Sequence, residues 1–249
     1  MEVLILAAGY AVRLQPLTLD NPKPLLEIGG RKIADRLLDK IARIKGVSAV
    51  YVVVNNKFFE HFKRWAKDSP DKNKLSLIND GTDSNENRLG AIRDLELSIR
   101  EKATDDDLLV IAGDNLFEFD LADFVRFAQS HSDGVSVALH DIGDVEAAKR
   151  FGVVKVGADD KVVEFEEKPL MPKSTLVSTG IYYFPKDKLS LIPKYVSVTD
   201  KKTDAPGYCI SWMSSVDNVY GFAFSEDWHD IGDMETYRKV DEAYKQKER

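Results

Sequence analysis

A loop near the start of this 249-residue sequence carries two cations, Arg13 and Lys23, in a stretch that also holds three prolines. It opens with the small residues Ala7, Ala8 and Gly9, which let backbone N–H groups approach a ligand closely and form an anion-binding concavity. The prolines restrict the backbone, so a stiff loop can hold both cations in place before a ligand binds. Small residues alone would also suit an ordinary surface loop, but the combination predicts a phosphate site.

A carboxylate further along the chain could complete such a site. Asp114 follows the apolar run 108–112 after a single glycine, Gly113, and precedes Asn115. An aspartate at the carboxyl end of a buried strand can hold magnesium beside phosphates at the edge of a sheet. The same position would suit an N-cap for a helix near Asp120, and the local sequence leaves both interpretations open.

A third cation, Lys168, ends a predicted strand and is followed by Pro169. The proline restricts the lysine, which could then reach a phosphate through a charge-assisted hydrogen bond. The alternative is an exposed lysine on an edge strand.

These groups must be positioned by the regular elements around them. The runs 3–8 and 108–112 are continuously apolar, which is typical of parallel strands buried on both faces. Further strands are predicted over 50–54, 75–78 and 135–139, and apolar residues recur at helical spacing after each of the first four strands. The first 140 residues therefore predict repeated βα units and a doubly wound sheet.

From Phe151 the pattern changes to strand pairs over 152–156, 162–166 and 180–184, followed by a strand over 219–224 and a closing helix from Met234. We predict an α/β fold with a doubly wound, mostly parallel, Rossmann-like sheet flanked by helices and a small additional β-rich lobe. Because no repeat or linker divides the chain, we expect one domain over 1–249, with halves over 1–140 and 141–249.

Composition excludes several classes of function. The net charge of −7 argues against a nucleic-acid-binding surface, which needs a basic face. The single cysteine, Cys209, excludes an intramolecular disulfide or a cysteine-based zinc site. Neither a G-x-G-x-x-G sequence nor a Walker A sequence occurs, which argues against dinucleotide oxidoreductases and P-loop ATPases. Without a signal peptide or a long apolar run, we expect a cytoplasmic protein that binds no membrane.

Taken together, the motifs resemble those of the sugar-phosphate nucleotidylyltransferases. The signature of that family is a small-small-Gly turn, Arg-Leu, Pro-Leu-Thr and Pro-Lys-Pro-Leu-Leu, and the later motifs follow in the same order. The matching stretches are Ala7-Ala8-Gly9, Arg13-Leu14, Pro16-Leu17-Thr18, Pro22-Lys23-Pro24-Leu25-Leu26, Gly113-Asp114-Asn115, 151–154, 165–169, 179–182 and Trp228-His229-Asp230-Ile231-Gly232. The resemblance extends over residues 3–237 and includes the nucleotide-diphospho-sugar transferase type of fold.

The resemblance implies a role for each matching residue. The implied catalytic residues are Arg13 and Lys23, and the implied ligands of Mg²⁺ are Asp114 and Asp230. The implied nucleotide-binding residues are Leu6, Ala7, Ala8, Gly9, Gly81 and Gly90. The implied sugar-phosphate-binding residues are Asn115, Gly152, Glu167, Lys168 and Thr179.

The chain departs from the family pattern at two places. Ala11 stands where many members carry a second glycine, and alanine disfavours a positive φ, so we expect a slightly different loop angle. Arg88 to Ile92 replaces a Gly-Leu-Ala-Gln-Ala segment, so the glutamine that reads a pyrimidine is absent. The sequence therefore leaves dTTP, UTP, CTP and GTP as alternatives for the nucleotide substrate.

The resemblance implies an enzyme of the EC 2.7.7 class that joins an NTP to a sugar 1-phosphate, giving an NDP-sugar and pyrophosphate by in-line attack on the α-phosphorus. One alternative is a phosphocholine or other small-phosphate cytidylyltransferase on the same fold, which an aromatic cage of Tyr182, Tyr183 and Trp212 would indicate. Another is a nucleotide-sensing module without turnover. The expected partners are the two substrates, and a homo-oligomer stays open.

Overall fold

The computed structural model describes residues 1–199 and 203–247. Within them lie thirteen strands and eight α-helices. The strands are β1 (Glu2–Leu6), β2 (Glu27–Ile28), β3 (Arg31–Lys32), β4 (Ala49–Val54), β5 (Leu75–Asn79), β6 (Leu108–Ala112), β7 (Asn115–Phe117), β8 (Val135–Asp141), β9 (Gly152–Val156), β10 (Val162–Glu167), β11 (Leu176–Phe184), β12 (Val219–Phe224) and β13 (Trp228–Asp230). The helices are α1 (Ile33–Ala42), α2 (Phe59–Asp68), α3 (Ala91–Lys102), α4 (Leu121–Ser130), α5 (Val145–Ala148), α6 (Leu191–Val198), α7 (Pro206–Val216) and α8 (Met234–Lys247).

Nine of these strands form one sheet. Its main path runs β10-β9-β11-β6-β1-β4-β5, and β8 joins β11 to β12. Strands β4 and β6 lie parallel to β1, β5 lies parallel to β4, and β12 lies parallel to β8. Among the described strands of this sheet, each antiparallel ladder contains β10 or β11. Seven strands of the sheet therefore run in one direction, and β10 and β11 run in the other.

Both faces of the sheet are covered by helices, as the apolar runs predict. In β1, Val3 and Ile5 face the core that contains α1, α2 and α4, whereas Leu4 faces the core that contains α3, α6 and α7. Successive strand side chains point to opposite faces, so a strand between two helical layers must be apolar at every position. This arrangement confirms the doubly wound α/β fold.

The chain reverses its winding at β1. It passes from β1 to β4 and β5 on one side and then crosses to β6 on the other, so the carboxyl ends of β1 and β6 are adjacent, with Leu6 opposite Ala112. In doubly wound sheets, ligands bind in the crevice at such a reversal. The fold therefore places the Ala7–Gly9 loop and Asp114 at the same crevice.

The antiparallel strands β9, β10 and β11 continue the central sheet, so the β-rich region is continuous with the first half of the chain. Two further two-stranded antiparallel sheets pair β2 with β3 and β7 with β13. Helices α6 and α7 were not predicted from the sequence. No helix in the described part of the chain has the length and apolar character needed to cross a bilayer.

Candidate functional site

Lys23 lies where the ends of β1 and β6 meet. Its ammonium donates a hydrogen bond to Asp114 Oδ2 at 2.8 Å and lies 3.9 Å from Asp230 Oδ1. The Lys23 side chain is only 10% exposed, whereas those of Asp114 and Asp230 are 37% and 33% exposed. The structure thus brings three of the predicted site residues into one cluster, in which the lysine is covered and the carboxylates are accessible.

The local sequence explains how Lys23 is held. It begins a single 3₁₀ turn, Lys23–Leu25, in which Leu25 N–H donates to Pro22 O and Leu26 N–H donates to Lys23 O. Leu25 and Leu26 are buried and anchor the turn in the core. Pro22 supplies an extended backbone before the turn, which matches its restricted φ. The lysine is therefore fixed by apolar anchors rather than by its charge alone.

Two backbone contacts bring the carboxylates of Asp114 and Asp230 together. Gly113 N–H donates to Leu6 O at 2.9 Å, and a Cβ on Gly113 would lie 2.8 Å from that oxygen, so a larger residue would push the two strand ends apart. The chain then forms β7, whose Asn115 pairs with Asp230 of β13. This antiparallel pairing brings Asp230 beside Asp114.

The pKa values of the two carboxyl groups are shifted in opposite directions. Burial would raise the pKa of Asp114, but the charge and hydrogen bond of Lys23, with a contribution from Arg13, hold that pKa below its usual range. Burial, together with the charge of Asp114, raises the pKa of Asp230 to about 6, although Lys23 and Arg13 oppose the rise. Like charges that face each other in a partly dry site repel, and a divalent cation between them would relieve the repulsion.

The carboxylate pair fits magnesium chemically. Mg²⁺ is usually held by one or two carboxylates, and it keeps several waters or substrate phosphate oxygens as further ligands. Over the described ranges, no group of three or more His, Cys, Asp or Glu side chains could hold a metal ion. Asp114 and Asp230 would therefore leave most coordination positions to water and phosphate, as expected for a site that handles a magnesium-bound nucleotide.

A cavity of about 170 Å³ opens onto this cluster. It is lined by residues from the small-residue loop, the cation loop and the ends of β6 and β13: Leu6, Ala7, Gly9, Ala11, Arg13, Leu14, Lys23, Pro24, Gly113, Asp114 and Gly232. A larger cavity of about 790 Å³ lies between α1 and α2 and contains Trp65 and Asp35, but none of the predicted site residues. We place the candidate site at the smaller cavity, because the phosphate-binding groups converge there.

Ala11 adopts the left-handed conformation, with φ +47° and ψ +43°, directly before the 3₁₀ turn that carries Arg13. Its carbonyl accepts hydrogen bonds from Leu14 N–H at 2.9 Å and from Thr18 Oγ1 at 2.8 Å. The loop thus keeps the backbone angle that glycine would favour, although the residue is alanine. The expected change of loop angle is wrong for this residue, because these two hydrogen bonds hold the angle.

Ala11→Gly should therefore stabilise the protein. The left-handed conformation costs alanine about 1–2 kcal/mol, and the greater entropy of glycine in the unfolded chain offsets part of this, so we expect a net gain of about 0.5–1 kcal/mol in the free energy of unfolding. Ala103, also left-handed at φ +48° but at the end of α3, offers a matched variant, and Ala103→Gly should stabilise similarly. Ala122→Gly, inside α4, should destabilise instead. A denaturant titration in which Ala11→Gly behaves like Ala122→Gly would contradict this account.

A second cluster lies at the joined ends of β9 and β10. Glu167 is buried, with a side chain 7% exposed, and burial raises its pKa although the charge of Lys168 opposes the rise. Its Oε2 would lie 2.9 Å from a Cβ on Gly152 and 1.8 Å from a Cβ on Gly207. Lys168 is 52% exposed, and its Nζ lies 3.9 Å from Glu167 Oε1. The two glycines therefore make room for the Glu167 carboxyl, and Lys168 extends beyond it toward solvent.

Two other predicted sugar-phosphate contacts, Asn115 and Thr179, are buried. Asn115 donates from Nδ2 to Thr179 O at 2.6 Å and accepts at Oδ1 from Trp228 Nε1 at 2.9 Å. Thr179 Oγ1 donates to Ala138 O at 3.0 Å. These side chains join β7, β8, β11 and β13 to one another, so in this structure they support the floor of the site.

The two glycines predicted to contact the base have different surroundings. Gly81 has φ +78° and no atom within 4 Å of its added Cβ position. A Cβ on Gly90 would lie 2.8 Å from Thr203 O and 2.9 Å from Asp204 Cα. The first two backbone amides of α3 also bind residues 203 and 204: Ala91 N–H donates to Asp204 O, and Ile92 N–H donates to Thr203 O. Gly81 is therefore open to a ligand, whereas Gly90 packs against the residues that precede α7.

One buried carboxyl, that of Asp94, lies in the first turn of α3 next to this region. The residue is 6% exposed, and its Oδ1 has no hydrogen-bond partner. Burial, followed by the charges of Asp80 and Asp204, raises the pKa of Asp94 to about 8. Burial therefore favours the protonated form of this carboxyl.

With the geometry established, comparison with known sequences identifies the family. The profile of the nucleotidyl transferase family matches residues 2–247. The chain belongs to the nucleotidyl transferase family. The bifunctional protein GlmU of Methanocaldococcus jannaschii is 30% identical over 235 residues, which cover 93% of this chain and 51% of GlmU. The chain thus spans about half the length of this curated relative.

Solved structures confirm the fold of this nucleotidyl transferase. A structure described as a glucose-1-phosphate thymidylyltransferase from Bacillus anthracis gives a TM-score of 0.84 at 22% identity, over 98% of this chain and 95% of the other. A structure of a UDP-glucose pyrophosphorylase complexed with UDP-glucose gives a TM-score of 0.83 at 17% identity, over 99% of this chain and 98% of the other. At such identities the likeness shows the fold, and it confirms the nucleotide-diphospho-sugar transferase type.

Sequence motifs of this nucleotidyl transferase did not point to two residues that the structure places beside the predicted site. Gly207 lies in the unpredicted helix α7, and its contact with Glu167 depends on how that helix packs against β10. Arg150 lies 3.9 Å from Asp233, at the turn before β9. The available signal for Arg150 was its position directly before the matching stretch 151–154.

Proposed function

We propose that this chain joins an NTP to a sugar 1-phosphate, releasing pyrophosphate and forming an NDP-sugar. The proposal depends mainly on one observation, the contact of the buried Lys23 with Asp114 and Asp230 at the crevice between β1 and β6. Such a cluster combines an anchored cation with two ligands suited to magnesium, which is what transfer of a nucleotidyl group needs. The name of the family, nucleotidyl transferase, supports the same class of reaction.

In this mechanism, the loop that follows β1 binds the triphosphate. Small residues at 7–9 allow backbone N–H groups to approach it, while Arg13 and Lys23 lie beside the leaving pyrophosphate and stabilise its developing charge. Because Lys23 is already held beside Asp114, this cation needs little reorganisation as the charge develops. Asp114 and Asp230 would hold Mg²⁺, which supplies Lewis-acid polarisation of phosphate oxygens when bound.

The acceptor would bind at the ends of β9 and β10. Glu167 lies in its glycine-lined recess, where a carboxyl oxygen can accept hydrogen bonds from sugar hydroxyls. Lys168 reaches beyond it and can bind the acceptor phosphate, whose oxygen attacks the α-phosphorus in line with the leaving group. We assign residues 1–140 to nucleotide binding and 141–249 to acceptor binding within a single domain.

The alternative of a choline-type acceptor needs an accessible aromatic cage. Tyr182 and Tyr183 are 4% and 1% exposed, and Tyr183 donates its hydroxyl hydrogen bond to Asp107, which precedes β6 at the opposite edge of the sheet. Neither ring can surround a ligand at the carboxyl edge. This observation favours a sugar phosphate over a quaternary ammonium acceptor.

A substrate panel tests the proposed function. The four candidate NTPs would be crossed with several sugar 1-phosphates and phosphocholine, with magnesium present, and pyrophosphate release would be measured. We expect release with at least one sugar 1-phosphate and none with phosphocholine. Nucleotide binding without pyrophosphate release in any pair would instead favour the sensing module.

Lys168→Ala should raise KM for the sugar phosphate about 10-fold while changing KM for the NTP little, since one charge-assisted contact to a phosphate is worth roughly 1.5–3 kcal/mol. The control is Lys173, an exposed lysine in the loop after β10 that pairs with Glu164. Lys173→Ala should leave both constants unchanged. Initial rates measured with each substrate varied in turn separate the two constants. Equal effects on both substrates would contradict the role of Lys168.

A further inference from the structure

Arg150 is a second exposed cation on the acceptor side of the site. It lies in the turn between α5 and β9, and its side chain is 60% exposed. Its Nη1 lies 3.9 Å from Asp233 Oδ2, and its guanidinium carbon lies 5.8 Å from the centroid of the Phe151 ring. A distance of 3.9 Å is too long for a hydrogen bond, so the donors of the guanidinium are not used by Asp233. The guanidinium therefore lies near Asp233, and its donors remain available to a ligand.

Asp233 links Arg150 to the carboxylate cluster. Its Oδ1 accepts a hydrogen bond from Thr236 N–H at 2.9 Å, so it caps the first turn of α8, as its sequence position suggests. The turn before it is closed by Gly232 N–H, which donates to Asp230 O at 2.9 Å. Arg150 therefore faces the segment that carries Asp230, and a cavity of about 420 Å³ lined partly by Arg150 and Asp233 leaves space for movement of the guanidinium.

A backbone contact links the same turn to Lys168. Lys168 N–H donates to Phe151 O at 3.0 Å, and the next residue, Gly152, pairs with Glu167 across the β9–β10 ladder. Lys168 itself has φ +50°, an uncommon conformation for a residue before proline, and this hydrogen bond supports it. Arg150 precedes β9 and Lys168 follows β10, so the two residues lie at adjoining ends of two paired strands. Arg150 lies near Asp233, and Lys168 lies near Glu167.

We infer that Arg150 binds the phosphate of the acceptor from the Asp230 side, while Lys168 binds it from the sugar side. This inference rests on the proposed function and specifies how its acceptor is held. An anionic phosphate must approach Asp114, Asp230 and Asp233, and Lys168 alone is a single point charge already balanced in part by Glu167. An arginine fork can bind two phosphate oxygens at once and leave the third oriented for attack.

Replacement of Arg150 separates this role from a structural one. We expect Arg150→Ala to raise KM for the sugar 1-phosphate at least ~10-fold, as expected for loss of a charge-assisted contact, with KM for the NTP within about 2-fold of wild type. Arg150→Lys should restore part of the loss, because it retains the charge but not the fork. The matched control is Lys149→Ala, which removes the neighbouring cation, paired with Glu146 on the same turn, and should change neither constant.

The measurements use the full chain, the most active NTP and sugar 1-phosphate of the substrate panel, and thermal denaturation of each variant. Unchanged acceptor KM in a folded Arg150→Ala protein would overturn the inference while leaving the proposed function intact. Equal rises for acceptor and NTP, or an equal rise in the Lys149→Ala control, would also overturn it. If wild type turns over no pair of the panel, the proposed function fails first and this inference falls with it.

Discussion

Asp114→Asn should lower turnover at least ~100-fold and raise the magnesium concentration needed for half the maximal rate, because an amide replaces a charged ligand of the proposed metal site. Asp230→Asn should behave alike, since the β7–β13 pairing brings that carboxylate to the same place. Initial rates over a magnesium titration, with the NTP held in excess, measure both effects. An Asp114→Asn protein with near-normal turnover and unchanged magnesium dependence would falsify the metal assignment.

The same variant should also lower the stability of the protein. Asp120 itself caps α4, accepting from Ala122 N–H at 3.0 Å, so Asp114 has no capping role at that helix. Lys23 would lose its nearest anion in a largely covered position, and the remaining carboxylate, Asp230, is 3.9 Å away. We therefore expect Asp114→Asn to lower the free energy of unfolding by about 1–2 kcal/mol, a loss moderated by the exposure of the carboxylates. Asp120→Asn is the control, and it should change neither turnover nor stability appreciably.

Asp94→Asn should remove a fall in stability that wild type shows as pH rises. In the unfolded chain an aspartate has a pKa of about 4, whereas burial raises the pKa of Asp94 to about 8 in the folded protein. Between these values the folded state holds a proton that the unfolded state has released, so the free energy of unfolding decreases with rising pH and levels off above the folded pKa. The slope corresponds to about 1.4 kcal/mol per pH unit, which gives a difference of several kcal/mol across the window.

Denaturant titrations from pH 4 to pH 9 measure this slope. Asp94→Asn cannot ionise, so its stability should be flatter with pH and should exceed that of wild type at the alkaline end. Glu101→Gln, which alters an exposed carboxylate of the same helix, should retain the wild-type slope. If Asp94→Asn and wild type decline in parallel, Asp94 ionises in the folded protein without the proposed penalty.

Much of the fold could be predicted because each central strand is buried on both faces. That condition requires continuous apolar runs, and β6 and β12 begin and end at the predicted residues. The apolar run over 3–8 continues beyond β1, since Ala7 and Ala8 are buried in the loop rather than in the ladder. The cluster of Lys23 and Asp114 was predictable for a related reason, since parallel strands place their carboxyl ends at one edge.

Other features depend on contacts that local patterns do not encode. Helix α7 has apolar residues such as Cys209 and Met213 between small and polar ones, and it forms by packing against β10. The pairing of β7 with β13 joins two strands of three residues each, too short for a periodic signal. The left-handed Ala11 depends on hydrogen bonds from Leu14 and Thr18, so composition alone suggested a different backbone.

The late arrival of β13 has a consequence during synthesis of the protein. Trp228 of β13 and Asn115 of β7 are separated by 113 positions and meet through a side-chain hydrogen bond. At about 20 residues per second or slower, a ribosome needs roughly six seconds or more to travel from one to the other. Throughout that interval the nascent chain already carries Arg13, Lys23 and Asp114 but lacks Asp230. If the proposed function holds, a chain terminated within this interval would carry the cations proposed to bind the triphosphate but would lack one proposed ligand of Mg²⁺, and we expect it to be inactive.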